Sequence, residues 1–248
     1  MTASGTQQMS IDCWMLRQCE TGGPPALRFY QWSRPTLSLG HLQKDIPAHW
    51  RSLAQAGRID IVRRPTGGRA VLHSGDLTYA VAARYRQGNR VEIYQHLCEF
   101  LIRGWRKLGV ELHYGEAGRG YRHRPNCFGV ATQADLVDSQ GHKFIGSAQR
   151  YSRIVQEGAQ GERVVLQHGS MQLAPDASLF EALFAAPAPQ SPVRSPIDQA
   201  LVHRITETLT TAAGDWFGVD LVAQPLTPGG LAEVDQVGDG KVGDREAG

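Results

Sequence analysis

Apolar residues occur in short segments that glycine and proline separate, and their spacing predicts both helices and strands. The clearest pattern is a helix over 91–108, where apolar side chains recur every three or four positions and Gly109 can act as the C-terminal cap. Helices are also predicted at 44–56, 176–186 and 197–213. The last of these would have Ser195 as its N-cap and Pro196 in its first turn.

The remaining apolar and aromatic runs are short and bounded by turn residues, which is typical of strands. They predict strands at 27–32, 36–39, 59–63, 77–83, 134–138, 142–149 and 163–173. Strands outnumber helices and the two kinds of element are interspersed along the chain. The pattern therefore predicts the α+β class.

The C-terminal third changes in composition. Residues 187–196 are rich in proline and indicate a linker, and residues 197–222 form a predicted helical segment. From 223 to 248 the chain is rich in glycine and acidic residues and poor in apolar ones, so we expect a disordered acidic tail.

Composition excludes several classes of protein. The chain has 248 residues, of which 41% are hydrophobic and 20% charged, with a net charge of +2, so neither a disordered chain nor a nucleic-acid binder is expected. No apolar run is long enough to span a membrane, and the first residues do not resemble a signal peptide. Four cysteines without a metal-binding spacing predict free thiols, no metal site and a cytoplasmic location.

The first candidate for chemistry is the segment RRPTGGRAVLH at 63–73, which joins two predicted strands. Gly67 and Gly68 would let the backbone approach a ligand closely, and Arg64 and Arg69 could neutralise a carboxylate or phosphate. The alternative is an ordinary glycine hairpin turn with solvated arginines.

Two further candidates are single reactive groups. Cys127 lies among basic residues in RHRPNCFG, and positive neighbours favour the thiolate. Lys143 opens a predicted strand that continues with the small residues Gly146, Ser147 and Ala148, which could admit a ligand beside the backbone. The alternatives are a buried unreactive cysteine and a solvated lysine at a sheet edge.

The fourth candidate is a polar break, QHGS, inside the apolar strand at 163–173. His168 could contact a ligand beside Gly169. A hydrogen-bonded structural histidine explains the same pattern equally well.

The order and spacing of these segments is more specific than any one of them. RRPTGGRAVLHSGDLTYAV, NCF, HKFIGSAQR and VLQHGSMQL resemble the lipoate/biotin protein ligase family, and within it the octanoyl-carrier-protein:protein octanoyltransferases of the cysteine–lysine type. The likeness extends to QMSIDCWML and LRFYQWSRPTLSLGHLQ near the N-terminus. It predicts a catalytic domain over residues 8–186.

The resemblance implies an α+β domain whose mixed sheets pack with helices around an acyl-binding tunnel. It assigns catalysis to Cys127, as the nucleophile, and to Lys143, directed at the acyl carbonyl. It assigns substrate binding to Arg64, Gly67, Gly68, Arg69, His73, Gly146, Ser147, Ala148, His168 and Gly169.

The resemblance also implies a reaction without cofactor. Octanoyl would pass from octanoyl-acyl carrier protein to Cys127 and then to a lysine of a lipoyl-domain protein, and we expect a monomer that binds neither membrane nor nucleic acid. The alternatives are an ATP-dependent lipoate or octanoate ligase, an amidotransferase between lipoyl proteins, and a non-catalytic binder of acyl carriers. An acidic carrier could dock on Arg119, Arg122, Arg124, Arg150 and Arg153, unless these arginines are simply solvated.

Overall fold

Two β-sheets and their covering helices form the part of the chain that the structure describes. The computed structural model describes residues 1–115, 135–154, 161–227, 229–230 and 232–234. The strands are β1 (Thr2–Ala3), β2 (Ala26–Trp32), β3 (Thr36–Leu39), β4 (Asp60–Arg63), β5 (Val71–His73), β6 (Asp76–Tyr85), β7 (Leu112–Tyr114), β8 (Asp135–Asp138), β9 (Lys143–Arg153) and β10 (Arg163–Gln172). The helices are α1 (Gly5–Glu20), α2 (Ala48–Gln55), α3 (Arg90–Lys107), α4 (Ala177–Phe184) and α5 (Gln199–Phe217).

Both sheets are mixed. The larger has the order β1-β2-β6-β10-β9-β8-β7 and is antiparallel except where β1 pairs with β2. The smaller has the order β4-β3-β5, with β3 parallel to β4 and antiparallel to β5. Mixed sheets packed with helices confirm the predicted α+β class.

The large sheet buries a different helix on each face. Side chains alternate along β6, so Leu77, Tyr79 and Val81 join the core with α3, whereas Ala80 and Ala82 join the core with α1. Helix α5 packs behind α3 and contributes Leu209 to the same core. The small sheet has its own core, formed with α2 and α4.

Helix α3 follows its sequence pattern closely. Asn89 caps it, and the side chain of Glu92 bonds back to the Asn89 amide in a capping box. Cys98 is fully buried on the apolar face of this helix, as expected for an unreactive cysteine.

Helix α1 was not among the predicted elements. It begins after Ser4, whose side chain accepts from the Gln7 amide, and it buries polar residues such as Gln8 and Asp12 together with its apolar ones. Buried polar residues interrupt the apolar face of this helix. The spacing of its apolar residues therefore does not predict a helix here. The short strands β1, β5 and β7 were missed as well.

Two predicted helix starts are wrong. Asp198, not Ser195, caps α5, because its side chain accepts from the Leu201 amide at 2.8 Å and its own backbone is still extended. Helix α2 begins after Pro47 instead of at residue 44. Between α4 and α5, residues 185–198 are all described and contain no helix or strand.

The C-terminal residues that the structure describes contact α1. The Glu233 carboxylate accepts hydrogen bonds from Trp14 at 2.8 Å and Gln18 at 3.1 Å, and Val234 is buried in the α1 core. The rest of the predicted acidic tail, from 235 onward, lies outside the described residues. Within the described ranges, no helix is long and apolar enough to cross a membrane.

The contact between α3 and α5 leads to a test. A Cβ on Gly104 would lie 2.6 Å from Leu209 Cδ2 and 3.3 Å from the Leu209 Cα. We expect Gly104→Ala to lower the free energy of unfolding by about 1–2 kcal/mol, because overpacking outweighs the helix preference for alanine. Urea denaturation measures the change.

The control is the same substitution in a Leu209→Ala background. There the closest contact, with Leu209 Cδ2, is absent, and Gly104→Ala should cost less stability than in the wild type. An equal loss of stability in both backgrounds would contradict the packing argument.

Candidate active site

A pocket that is partly open to solvent lies between the two sheets. Its walls come from α1, from β3 and β5 of the small sheet, and from β2, β6, β9 and β10 of the large sheet. Seven of the ten residues predicted to bind substrate line it: Arg64, His73, Gly146, Ser147, Ala148, His168 and Gly169. The other three, Gly67, Gly68 and Arg69, lie in the connection from β4 to β5 and are not part of the lining.

Arg64 organises that connection. Its guanidinium donates to the carbonyl oxygens of Gly67 at 2.8 Å, Arg69 at 2.6 Å and Ser38 at 2.9 Å, and to Ser38 Oγ at 3.2 Å. The residue is buried, and each of its three nitrogens donates to the chain. Arg64 therefore holds the glycine loop in shape, and its donors are not directed at a phosphate or carboxylate ligand.

The loop also packs tightly on the residues after β3. The His41 amide donates to the Thr66 carbonyl at 2.8 Å, and a Cβ on Gly40 would lie 1.9 Å from the Gly68 carbonyl oxygen. Position 40 therefore requires glycine so that the two backbones can approach.

His168 is held at both ring nitrogens. Nδ1 lies 2.8 Å from Asp12 Oδ2 on α1, and Nε2 lies 2.6 Å from Thr66 Oγ1 in the glycine loop. The same Asp12 oxygen accepts from the Tyr30 hydroxyl at 3.0 Å. Burial lowers the pKa of His168, although the Asp12 carboxylate acts in the opposite direction. A neutral, structurally bonded imidazole follows.

His73 is held in the same way on the opposite wall. Nδ1 lies 2.7 Å from Asp76 Oδ2, and Nε2 lies 2.8 Å from Ser38 Oγ. Asp76 Oδ2 also accepts from Thr78 at 3.1 Å and from Ser170 at 2.6 Å. The imidazole stacks on Trp32, with 3.9 Å between ring centroids.

These bonds decide what the walls offer to a ligand. The nitrogens of both histidines and of Arg64 already have partners within the chain, so the rings and the glycine-rich strands face the cavity largely with carbon. A cavity of this kind suits a hydrocarbon chain.

Lys143 begins β9, as predicted, but its side chain is not a solvated edge charge. Nζ lies 2.8 Å from Asp135 Oδ1, and the two side chains are 3% and 5% exposed. Asp135 is opposite Gly146 in the ladder between β8 and β9, and Gly146 lines the cavity. The ion pair thus joins β9, the strand that carries Gly146, to the neighbouring strand β8.

Cys127 lies outside the described residues, and its role stays a prediction. The three cysteines that are described are poor candidates for a thiolate. Burial raises the pKa of Cys13 and of Cys98 to about 11 and also raises that of Cys19.

Sequence reasoning missed four residues that support the site: Asp12, Ser38, Thr66 and Asp76. The His73–Asp76 contact had a local signal, because only three positions separate the two residues. No local signal connects Asp12 with His168, which is 156 positions away.

The role of Arg64 is testable by Arg64→Lys. Lysine retains the charge but cannot reproduce the planar set of donors, so buried carbonyls would lose their partners. We expect the free energy of unfolding to fall by about 2 kcal/mol or more. Urea denaturation measures it, with the exposed Arg58→Lys as the matched control. Equal stability of the two variants would refute the role.

The burial of His168 predicts a pH dependence of stability. Its folded-state pKa lies below the ordinary value of 6.5, so the unfolded chain takes up the proton first as the pH falls. The neutral His168 side chain therefore contributes fully to the free energy of unfolding above pH 6.5, and this contribution is lost as the pH falls toward the folded-state pKa. The free energy of unfolding, measured by urea denaturation between pH 7.5 and 5, should therefore fall less steeply with decreasing pH for His168→Gln than for the wild type.

His203→Gln is the control, because His203 is solvent-exposed on α5 and does not line the cavity. If the free energy of unfolding of His168→Gln and of the wild type changed in parallel with pH, His168 would not contribute to the pH dependence of stability.

Comparisons with known proteins agree with this geometry. The family model described as lipoyl protein ligase A/B catalytic domain matches residues 4–222. Octanoyltransferase LipM of Carboxydothermus hydrogenoformans is 36% identical over 186 residues, which is 73% of this chain and 65% of that protein. Octanoyltransferase LipM of Kyrpidia tusciae is 39% identical over 173 residues, which is 65% of this chain and 58% of that protein. The chain thus spans less than two thirds of the length of both relatives.

The fold has a close counterpart among solved structures. Protein Ta0514 of T. acidophilum, a putative lipoate protein ligase with bound lipoic acid, superposes with a TM-score of 0.78 at 18% identity, covering 97% of this chain and 93% of that one. The resemblance inferred from the sequence motifs is confirmed. The chain belongs to the lipoyl protein ligase A/B catalytic domain family.

Proposed function

We propose that the chain is an octanoyltransferase that carries octanoyl on Cys127 during protein lipoylation. The observation that carries the proposal is the cavity between the sheets, whose polar groups are bonded to one another and whose walls suit an uncharged acyl chain. The reaction class is supported by the relatives, which are named octanoyltransferases.

The chemistry proceeds in two acyl transfers. The Cys127 thiolate attacks the carbonyl carbon of an octanoyl thioester, its new C–S bond replaces the C–S bond to the carrier, and the carrier leaves as a thiolate that takes a proton from solvent. A lysine amine of the acceptor then attacks the acyl-cysteine, loses a proton as the amide forms, and releases the Cys127 thiolate. The thioester is already activated, so the sequence of steps consumes no ATP.

Lys143 supplies positive charge to the negative oxygen that develops in each transfer. Its partner Asp135 makes the burial of the ammonium group tolerable, because an isolated charge at this depth would be far more costly. The proposed role is electrostatic stabilisation of the oxyanion, together with stabilisation of the thiolate.

The proposed partners are octanoyl-acyl carrier protein as donor and a lipoyl-domain protein as acceptor. Of the arginines predicted to dock an acidic carrier, Arg119, Arg122 and Arg124 lie outside the described residues, as does the side chain of Arg153. Arg150 is half-buried on β9. The docking patch therefore stays a prediction.

The proposal is tested by intact-mass spectrometry after mixing the protein with octanoyl-acyl carrier protein in the absence of ATP. The protein should gain the mass of one octanoyl group, Cys127→Ala should gain none, and the control Cys13→Ala should behave as the wild type. Octanoylation that requires ATP and free octanoate would indicate a ligase and refute the proposal. Absence of any acyl-enzyme would refute it as well.

Lys143 is tested in the same assay with the double variant Lys143→Met/Asp135→Asn, which removes both charges of the buried ion pair. Loss of oxyanion stabilisation should slow octanoyl uptake by about 100-fold or more. Uptake at the wild-type rate would exclude the role proposed for Lys143.

A further inference from the structure

The site contains one buried carboxylate that comes from outside both sheets, that of Asp12 on α1. We propose that Asp12 is a positioning residue, which acts through His168 to fix the hydroxyl of Thr66 and so holds the glycine loop at the cavity. Its effect on acyl transfer rests on the function proposed above, whereas its effect on His168 and on the loop does not.

Hydrogen-bond polarity supports this assignment. A carboxylate can only accept, so Nδ1 of His168, 2.8 Å from Asp12 Oδ2, must carry the proton. In a neutral imidazole Nε2 is then a bare acceptor, and the contact of 2.6 Å with Thr66 Oγ1 requires the threonine hydroxyl to donate. Asp12 thus determines which way the Thr66 hydroxyl points, although the two residues do not touch.

The surroundings of Asp12 favour the His168 tautomer with its proton on Nδ1 over the one with its proton on Nε2. The Tyr30 hydroxyl donates to the same oxygen as His168, and the Arg28 guanidinium lies 3.6 Å from the other oxygen. Arg28 is itself placed by stacking on Tyr30 at 3.9 Å and by a hydrogen bond to Gln8. Within the described residues, the polar groups that contact the Asp12 side chain are therefore all donors.

Thr66 transmits the constraint to the loop. Its side chain bonds to His168, its carbonyl accepts from the His41 amide, and the next carbonyl, of Gly67, accepts from Arg64. The Thr66 side chain is the only one of these three attachments that reaches the large sheet. Without it, none of these three attachments would hold the loop to the large sheet, and the cavity wall could shift relative to the acyl chain.

Asp12→Leu tests the proposal, because leucine has a similarly branched side chain but cannot accept a hydrogen bond from Nδ1 of His168. We expect ¹⁵N NMR of the histidine side chains to show a change of the His168 tautomer from Nδ1–H to Nε2–H. We also expect faster hydrogen exchange in the loop 64–70. At saturating octanoyl-acyl carrier protein, octanoyl uptake should fall about tenfold or more, since small displacements of a positioning group slow reactions strongly.

Further variants separate positioning from general loss of stability. Thr66→Val removes the hydroxyl at constant shape and should reproduce the faster exchange and slower uptake, whereas Thr66→Ser should keep both near wild-type values. Asp176→Ala, which removes the N-cap of α4 away from the site, should lower the melting temperature without changing uptake at 25 °C.

The outcomes distinguish this proposal from the function on which it rests. If the wild type takes up no octanoyl, the proposed function fails, while the tautomer and exchange measurements still decide the role of Asp12. An unchanged His168 tautomer with unchanged loop exchange in Asp12→Leu would overturn the proposal. An equal loss of uptake in Asp176→Ala would do so too, because it would make the effect one of stability.

Discussion

The guanidinium of Arg64 is the interaction on which the site depends. It lies buried at the end of β4 and fixes the carbonyls of a loop that has little other regular structure, while also bonding Ser38 on the neighbouring strand. Because Ser38 in turn bonds His73, and His73 bonds Asp76, one cation orders a polar wall that extends from the small sheet to the large one. The same loop is attached to the large sheet through the contact of Thr66 with His168.

This arrangement makes an apolar cavity from polar residues. Polar side chains are frequent around it: histidine, serine, threonine, arginine and aspartate. They form hydrogen bonds with one another within the walls, so few unpaired polar atoms face the cavity. Buried polar networks are costly when incomplete and specify a single arrangement when complete. The cavity shape is thus set by hydrogen bonds, which are directional, more than by the packing of flexible side chains.

Sequence patterns predicted most of the framework and part of the site. Helix α3 and the central strands follow from regular spacing, and the loop, Lys143 and both histidines were recognised as candidates from their local composition and from the family resemblance. Helix α1 could not be found by periodicity, since its buried positions include Gln8 and Asp12. The partners of Lys143 and His168 could not be predicted either, because Asp135 and Asp12 come to them only through the pairing of β8 with β9 and the packing of α1 on the large sheet. Cys127, on which the proposed chemistry depends, is supported by motif and family alone.

The central pairing of the large sheet has a consequence for how the chain is made. Strand β6 lies between β2 and β10, and 78 residues separate Tyr85 from its partner Arg163. A ribosome adding about 5–20 residues per second would leave one edge of β6 uncovered for roughly ten seconds, until β10 emerges. An open, apolar strand edge can pair with other chains during that interval. Biogenesis of this fold should therefore be most sensitive to chaperones and crowding at the stage when the nascent polypeptide ends between these two strands.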